Sequence, residues 1–318
     1  MKIFCIILLC CFTTLEVFSQ QKKDTILYAD PTIFYEKGTY YLYGTSSRNG
    51  FLVSTSNDLI NWKDSAGKKE GHALFKGDAF GTTGFWAPQI FPHNKKYYMA
   101  YTANEKIAIA ESDSPLGPFT QKEPKTISGV NRQIDPYIFK DSDGKLYLYH
   151  VRVDSGNRIF AARLKDDLSD IDLSTAVECI KSVEHWENTE NAKWPVAEGP
   201  TVIKVGKLYF LFYSANDFRN INYAVGYATA TSPFGPWKKH PASPIISRTN
   251  TSFNGTGHGD LFKGADGKLY YVLHTHSTNQ TVGRRKTAII NITLPKGKSD
   301  LVTVDPKTFR FLLTDHSK

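Results

Sequence analysis

The apolar residues of this chain fall in short runs that end at turn residues, and no segment keeps apolar residues at the helical spacing over several turns. One unit recurs. It begins with a carboxylate or another polar residue, usually near a proline, and continues as a short apolar strand, a turn and an aromatic-rich strand. Runs of this kind, bounded by turn residues, predict paired β-strands. The chain is therefore expected to be all-β.

Five copies of this unit follow one another. They begin at Asp30-Pro31, Ala87-Pro88, Asp135-Pro136, Glu198-Gly199-Pro200 and His258-Gly259. The spacing between copies leaves room for four short strands each, and a third strand follows the hairpin at 50–56, 106–112 and 223–229. Hairpins repeated around an axis form a β-propeller. The sequence thus predicts a five-bladed β-propeller.

Ionisable residues stand at the start of four of the five units. Because the first strand of each propeller blade lines the central channel, Asp30, Asp135, Glu198 and His258 should converge at one end of the axis. Carboxylates crowded around a narrow axis repel one another, so at least one should have a raised pKa. An acid beside a base is what glycoside hydrolysis requires. Capping of strand starts by Asp and Pro is the alternative for any single copy, but the recurrence favours a site.

The motifs at these positions resemble those of glycoside hydrolase family 43, in order and over about residues 27–313. They are Tyr28-Ala-Asp-Pro31, Trp86-Ala-Pro88, Ile134-Asp-Pro136, Ala197-Glu-Gly-Pro200 and Gly255-Thr-Gly-His-Gly259. Retaining fructan hydrolases of the same clan have an arginine before the middle Asp-Pro, where this chain has Ile134. The resemblance therefore favours the inverting family.

The resemblance implies a role for each carboxylate. Asp30 would be the general base that activates water, and Glu198 the general acid that protonates the leaving oxygen. Asp135 would orient Glu198 and hold up its pKa. The residues alone predict a division of labour between acid and base without assigning it.

Three further positions match the family. Trp86 would offer an aromatic wall to the sugar, with a core tryptophan as the alternative, and either Arg284 or Arg285 would contact substrate, with a solvated strand end as the alternative. His258 matches a histidine that holds a calcium ion or its water in several members, although a metal-free, hydrogen-bonded axial histidine fits equally well. No cofactor is expected to be required, and calcium would be structural.

The first 19 residues have the pattern of a secretory signal peptide. A basic residue precedes the apolar run Ile3–Cys11, and the small Ser19 stands before Gln20, the expected first mature residue. Lipid anchoring on Cys10 or Cys11 is disfavoured because neither follows a small residue. The sequence predicts a signal peptide at 1–19 and a single propeller domain at 20–318, secreted or periplasmic.

Composition agrees with a large packed domain and narrows the partners. The 318 residues are 41% hydrophobic and include 20 Phe, 17 Tyr and 5 Trp, which excludes general disorder. The net charge of +8 comes from basic pairs scattered among acids, such as Lys95-Lys96 and Lys238-Lys239, so nucleic-acid binding is not expected. No run after the signal approaches the length of a transmembrane segment. The expected partner of this monomer is plant cell-wall polysaccharide.

Together these features predict an inverting glycoside hydrolase acting on pentose-containing plant polysaccharide. The best match is an exo-acting α-L-arabinofuranosidase or β-xylosidase. Endo-arabinanase, galactanase and β-galactofuranosidase activities of the same family stay open, as does a propeller that binds carbohydrate without cleaving it.

Overall fold

The computed structural model describes residues 23–297 and 299–315. The signal peptide expected at 1–19 lies outside the described residues, as do the first and last residues of the expected 20–318 domain, so these boundaries remain predictions. No helix among the described residues is long and apolar enough to cross a membrane.

Antiparallel sheets arranged around an axis are the main structure of the described chain and form a five-bladed β-propeller, as predicted. The first segment contains β1 (Asp24–Thr25), β2 (Ala29–Glu36), β3 (Thr39–Thr45), β4 (Gly50–Leu52), β5 (Ser54–Ser56), β6 (Asn61–Trp62) and β7 (His72–Phe75). Blade two contains β8 (Trp86–His93), β9 (Lys96–Ala103) and β10 (Lys106–Ser112).

The remaining three blades are four-stranded and run in simple order from the axis outward. Blade three contains β11 (Gln133–Lys140), β12 (Leu146–Val153), β13 (Asn157–Leu164) and β14 (Ile171–Ile180). Blade four follows a 3₁₀ turn (His185–Glu187) and contains β15 (Ala197–Val205), β16 (Leu208–Ala215), β17 (Ala224–Ala230) and β18 (Lys238–Lys239). A short helix, α1 (Arg248–Thr251), leads to blade five, with β19 (Gly257–Lys263), β20 (Leu269–Thr275), β21 (Lys286–Thr293) and β22 (Thr303–Phe311). The last strand is β23 (Leu313–Thr314).

Blades one and two depart from the expected four strands. Their continuous sheets have three strands, β2-β3-β5 and β8-β9-β10. The fourth position is reduced to single bridges, Thr55 with Lys63 and Glu111 with Thr120. Part of the chain that would have formed an outer strand in blade one instead makes the separate pair of β4 and β7.

The two ends of the described chain close the ring. β1 pairs antiparallel with β23, which pairs parallel with β6. Between them, the Ile26 N–H donates to the Leu312 carbonyl, and the Thr287 N–H of blade five donates to the Ile26 carbonyl. Blade five is thereby joined to blade one through the backbone.

The described residues form five apolar clusters, and one cluster lies at each interface between neighbouring blades. Strand β16 shows how the sequence produces this packing. Leu211 and Tyr213 pack toward blade three, whereas Phe210 and Phe212 pack toward blade five. Because successive side chains of a strand point to opposite faces, a strand buried on both faces reads as an unbroken apolar run.

Candidate active site

The first strand of every blade is bulged at its start. The pairing register shifts there in all five blades, and one residue adopts a positive φ: Asp30 (49°), Ala87 (44°), Asp135 (54°), Gly199 (59°) and His258 (41°). A positive φ is costly for any residue but glycine, and a bulge re-aims the side chain that it carries. The repeated bulge brings Asp30, Asp135 and His258 together at one end of the axis.

Glu198 does not share this register, contrary to the expectation that the three carboxylates occupy equivalent points. The bulged residue of blade four is Gly199, and Glu198 precedes it, at the place that Trp86 takes in blade two. Glycine is needed there, because a Cβ on Gly199 would lie 2.8 Å from the His258 ring. The offset sets Glu198 on the wall of the cavity that Asp30 and Asp135 also line.

A ring of hydrogen bonds ties the bulges to one another. In four blades the N–H of the bulged residue donates to a side chain at the end of the preceding blade's second strand: Ala87 to Thr45 Oγ1 (3.1 Å), Asp135 to Thr102 Oγ1 (3.0 Å), His258 to Ser214 Oγ (2.8 Å) and Asp30 to His274 Nδ1 (3.1 Å). The second strand of blade three has Val151 at the corresponding place, opposite Ile134. The Gly199 N–H therefore donates to Asp135 Oδ2 instead, at 3.2 Å.

Asp30 is buried among positive charges. Its Oδ1 lies 3.4 Å from His258 Nδ1 and 3.6 Å from Arg285 Nη1, and its Oδ2 accepts a 2.6 Å hydrogen bond from Thr45. Burial alone would raise the pKa of Asp30, but His258, Arg285 and the Thr45 hydrogen bond hold that pKa well below its ordinary value. Asp30 is therefore an ionised carboxylate, available as a base.

His258 lies between two carboxylates. Its Nδ1 is 3.9 Å from Asp135 Oδ2 as well as 3.4 Å from Asp30. Burial opposes the charged imidazolium, yet Asp30 and Asp135 raise the pKa of His258 above its ordinary value. Burial raises the pKa of Asp135, while His258 and the Gly199 N–H counteract part of that rise.

Glu198 has the opposite character to Asp30. It is buried, and burial together with the nearby charge of Asp135 raises its pKa to about 7. Tyr223 donates to Oε1 at 2.8 Å and Asn157 donates to Oε2 at 3.0 Å. Glu198 thus carries a proton at mildly acidic pH and can give it up.

The sequence did not reveal Tyr223 or Asn157. Neither belongs to the recurring unit, since they come from third strands or their approaches. One signal was available in Gly257, where a Cβ would lie 2.5 Å from the Tyr223 ring. That glycine indicates a close approach of some large group without saying which.

The three carboxylates and His258 line a cavity of about 510 Å³. Trp86 stands at its edge with 36% of its surface exposed, so it is not a core residue. Arg285 reaches Asp30 and lies over the Phe218 ring, 4.5 Å from its centroid. Arg284 is exposed and lines only a neighbouring cavity. The structure therefore brings Arg285, and not Arg284, to the carboxylates.

A calcium ion beside His258 stays a prediction. Among the described residues, no group of three His, Cys, Asp or Glu side chains is arranged to hold a metal ion. Calcium prefers oxygen ligands, and the Nδ1 of His258 lies 3.4 Å from Asp30 and 3.9 Å from Asp135. No step proposed below uses a calcium ion.

Comparison with known proteins agrees with this geometry. The family model described as glycosyl hydrolases family 43 matches residues 25–297. A solved structure described as an endo-1,4-beta-xylanase from Bacteroides thetaiotaomicron is 37% identical, with a TM-score of 0.85, and the match covers 92% of this chain and 99% of that one.

Curated relatives differ in the sugar that they are named for. A beta-D-galactofuranosidase of Aspergillus niger is 25% identical over 83% of this chain and 78% of its own length. A non-reducing end alpha-L-arabinofuranosidase of Bacteroides ovatus is 25% identical over 76% of this chain. The present chain spans 45% of that arabinofuranosidase and about half of several other relatives.

Proposed function

The chain belongs to glycosyl hydrolase family 43, and on that basis we propose that it is an inverting O-glycosyl hydrolase that releases pentose from plant polysaccharide or its oligosaccharides. The observation that carries the proposal is the opposite ionisation of two carboxylates in one cavity. Asp30 is held ionised by positive neighbours, and Glu198 is held protonated by burial and by Asp135. Inverting hydrolysis requires such a base and such an acid.

Each residue then has a defined step. Asp30 accepts a proton from a water molecule as that water's oxygen bonds to the anomeric carbon. Glu198 gives its proton to the glycosidic oxygen as the bond from that oxygen to the anomeric carbon breaks. Asp135 keeps Glu198 protonated until then, and its own position is fixed by the Gly199 N–H.

The choice of sugar is supported by the relatives and by the cavity. The arabinofuranosidase named above and a xylan 1,3-beta-xylosidase of Vibrio match most of this chain, and the Trp86 ring gives the cavity a flat apolar wall of the kind that sugar rings stack on. An exo-acting α-L-arabinofuranosidase or β-xylosidase is our first candidate. Endo action is the second candidate, because a further cavity continues beyond Trp86.

Export is part of the proposal. The apolar run near the start and the small residue before Gln20 support removal of residues 1–19 and release to the periplasm or the medium. Mass spectrometry of the protein recovered from its host would show a mature chain beginning at Gln20. A chain that keeps residues 1–19 would contradict it.

The experiment compares the wild type with Glu198→Gln on glycosides whose leaving groups differ in pKa. Aryl α-L-arabinofuranosides, β-D-xylosides and β-D-galactofuranosides identify the sugar. Because a poor leaving group needs protonation, Glu198→Gln should lower kcat by about 10²- to 10⁴-fold on oligosaccharides and much less on dinitrophenyl glycosides.

The exposed Glu123→Gln provides the matched control, and its rates should equal those of the wild type. A loss in Glu198→Gln that is the same for good and poor leaving groups would contradict the general-acid role. A wild type that binds oligosaccharide but cleaves none of these substrates would favour a non-catalytic propeller.

A further inference from the structure

A second cavity of about 800 Å³ lies beside the catalytic one and shares Trp86 and Arg285 with it. Its wall is formed by residues 45–49, which connect β3 to β4, and by the segments 82–86 and 283–285. The two cavities are therefore neighbours, with Trp86 and Arg285 at their common border.

Three cationic side chains line this second cavity in addition to the shared Arg285: Arg48, Lys76 and Arg284. All three are exposed. No Asp or Glu is among the described residues that line the cavity. The charge of this surface is thus uniformly positive, and such a concentration of one sign attracts anions.

The contrast with the catalytic cavity shows that this charge is unneutralised. There, Arg132 is paired with Glu105 at 2.6 Å and Arg219 with Asp217 at 2.6 Å. Within the described part of the chain, Arg48, Lys76 and Arg284 have no carboxylate within 4.0 Å. Their charges remain free to meet an anionic group from outside.

The rest of the lining suits a sugar better than another kind of anion. Hydroxyl and amide side chains at Ser46, Ser47, Asn49, Thr82 and Thr83 surround the cations. The Trp86 indole forms the border with the catalytic cavity. Hydroxyl-rich walls with one aromatic face bind a sugar ring, and the guanidinium groups supply the fork that matches a carboxylate.

We propose that this second cavity binds a uronic acid unit of the substrate, so that the enzyme prefers pentose oligosaccharides that carry a carboxylate near the bond to be cleaved. This inference rests on the proposed function, because it concerns the same saccharide. A neutral saccharide would leave the three cationic side chains without an anionic partner, whereas the carboxylate of a glucuronosyl or galacturonosyl unit would pair with them.

The test measures binding by calorimetry with the Glu198→Gln protein, in which the ligand survives. The ligands are a pentose oligosaccharide carrying a glucuronosyl branch and its neutral methyl ester, which has the same rings without the charge. Ion pairs at exposed positions are modest, so the acid should bind about three- to tenfold more tightly than the ester at low salt. The difference should shrink as salt is raised.

Location is tested by adding Arg48→Gln and Lys76→Gln together. This pair should abolish the preference for the acid, so that the acid and the ester bind the variant with equal affinity. Lys207→Gln with Lys238→Gln is the matched control, since it removes two exposed charges far from the cavity and should keep the preference. Equal affinities for acid and ester in the starting protein would overturn the inference, and so would a preference that survives Arg48→Gln with Lys76→Gln.

The two proposals fail in different ways. Hydrolysis of a neutral pentose oligosaccharide by the wild type, which keeps Arg48 and Lys76, tests the proposed function on its own. If that hydrolysis is seen and the acid and the ester bind equally, only the uronate site is wrong. If no glycoside is cleaved, the proposed function fails while the binding comparison still decides the uronate site.

Discussion

Asp30 and Glu198 are both buried carboxylates, but their neighbours move their pKa values in opposite directions. Asp30 lies against His258 and Arg285, whereas Glu198 has the carboxylate of Asp135 near it and only neutral donors in contact. The neighbours of each carboxylate decide this difference. Asp30 contacts His258 and Arg285, whereas Glu198 contacts Tyr223 and Asn157.

The rate should report the Glu198 proton. Because Asp30 is ionised well below neutrality, kcat/KM should stay high at mildly acidic pH and fall as Glu198 loses its proton, with a midpoint near its pKa of about 7. Asp135→Asn removes a like charge and should move that midpoint to lower pH. Tyr223→Phe removes a hydrogen bond to the ionised form and should move it to higher pH. Profiles of kcat/KM against pH would show both shifts, and movement in the same direction would refute the assignment.

The sequence predicted those site residues that recur at the start of each repeat, and it did not predict the others. Asp30, Asp135 and His258 could be placed at the axis because each begins a repeat. The choice between Arg284 and Arg285 needed the backbone path, since neighbouring residues point in different directions. Tyr223 reaches Glu198 from a third strand, and no pattern in the chain marks that contact.

Among the elements, the bulge that begins each blade is what builds the site. Its cost is a positive φ in five places, four of them at non-glycine residues. Strain of this kind persists only where the surroundings enforce it, and the ring of N–H donors to neighbouring blades does so. Blade three differs because the Val151 side chain cannot accept a hydrogen bond. The Gly199 N–H donates to the Asp135 carboxylate instead.

Gly199 and Gly206 separate backbone strain from crowding. Both have φ of +59°, but a Cβ on Gly199 would meet the His258 ring at 2.8 Å, and a Cβ on Gly206 would meet nothing within 4 Å. Gly206→Ala should cost about 1–2 kcal/mol of unfolding free energy from the positive φ alone. Gly199→Ala should cost more and also lower kcat, because His258 must move.

Urea unfolding and kcat of the two variants would be compared side by side. Equal losses of stability with unchanged kcat in both would mean that Gly199 is not needed to position His258.

The strands themselves were largely predictable from the repeats. The reduced outer strands of blades one and two were not, and in blade one the separate pair of β4 and β7 follows no repeated pattern.

For the molecule as a whole, the closed ring and its five interblade clusters stabilise the fold and offset the unfavourable burial of charged groups in the active site. Burial of Glu198 is unfavourable to folding when that residue is ionised. Folding raises the pKa of Glu198 from 4.5 to about 7. The protein therefore keeps its full free energy of unfolding below pH 4.5 and loses part of it as the pH rises through 7.

Glu198→Gln should therefore be more stable than the wild type at pH 8, by about 1–3 kcal/mol, and the difference should vanish toward pH 5. Unfolding in urea at the two pH values measures this, with Glu123→Gln as a control that should match the wild type at both. If the wild type and Glu198→Gln have the same free energy of unfolding at pH 8, burial does not destabilise ionised Glu198.

Five blades and closure around an axis could be predicted because the repeats number five and each is too small to bury its own apolar faces. The manner of closure could not, since β1, β6 and β23 are two-residue strands without a sequence signature. The sugar is set by cavity walls that come from irregular segments, which carry no repeat.

If Asp30 and Glu198 carry out inverting hydrolysis, the anomer of the first product reveals it. Proton NMR of a fresh reaction on the glycoside that the enzyme cleaves best would follow the anomeric signals before mutarotation mixes them. The inverted anomer should appear first, and the other should grow in later. Early appearance of the retained anomer would contradict inversion.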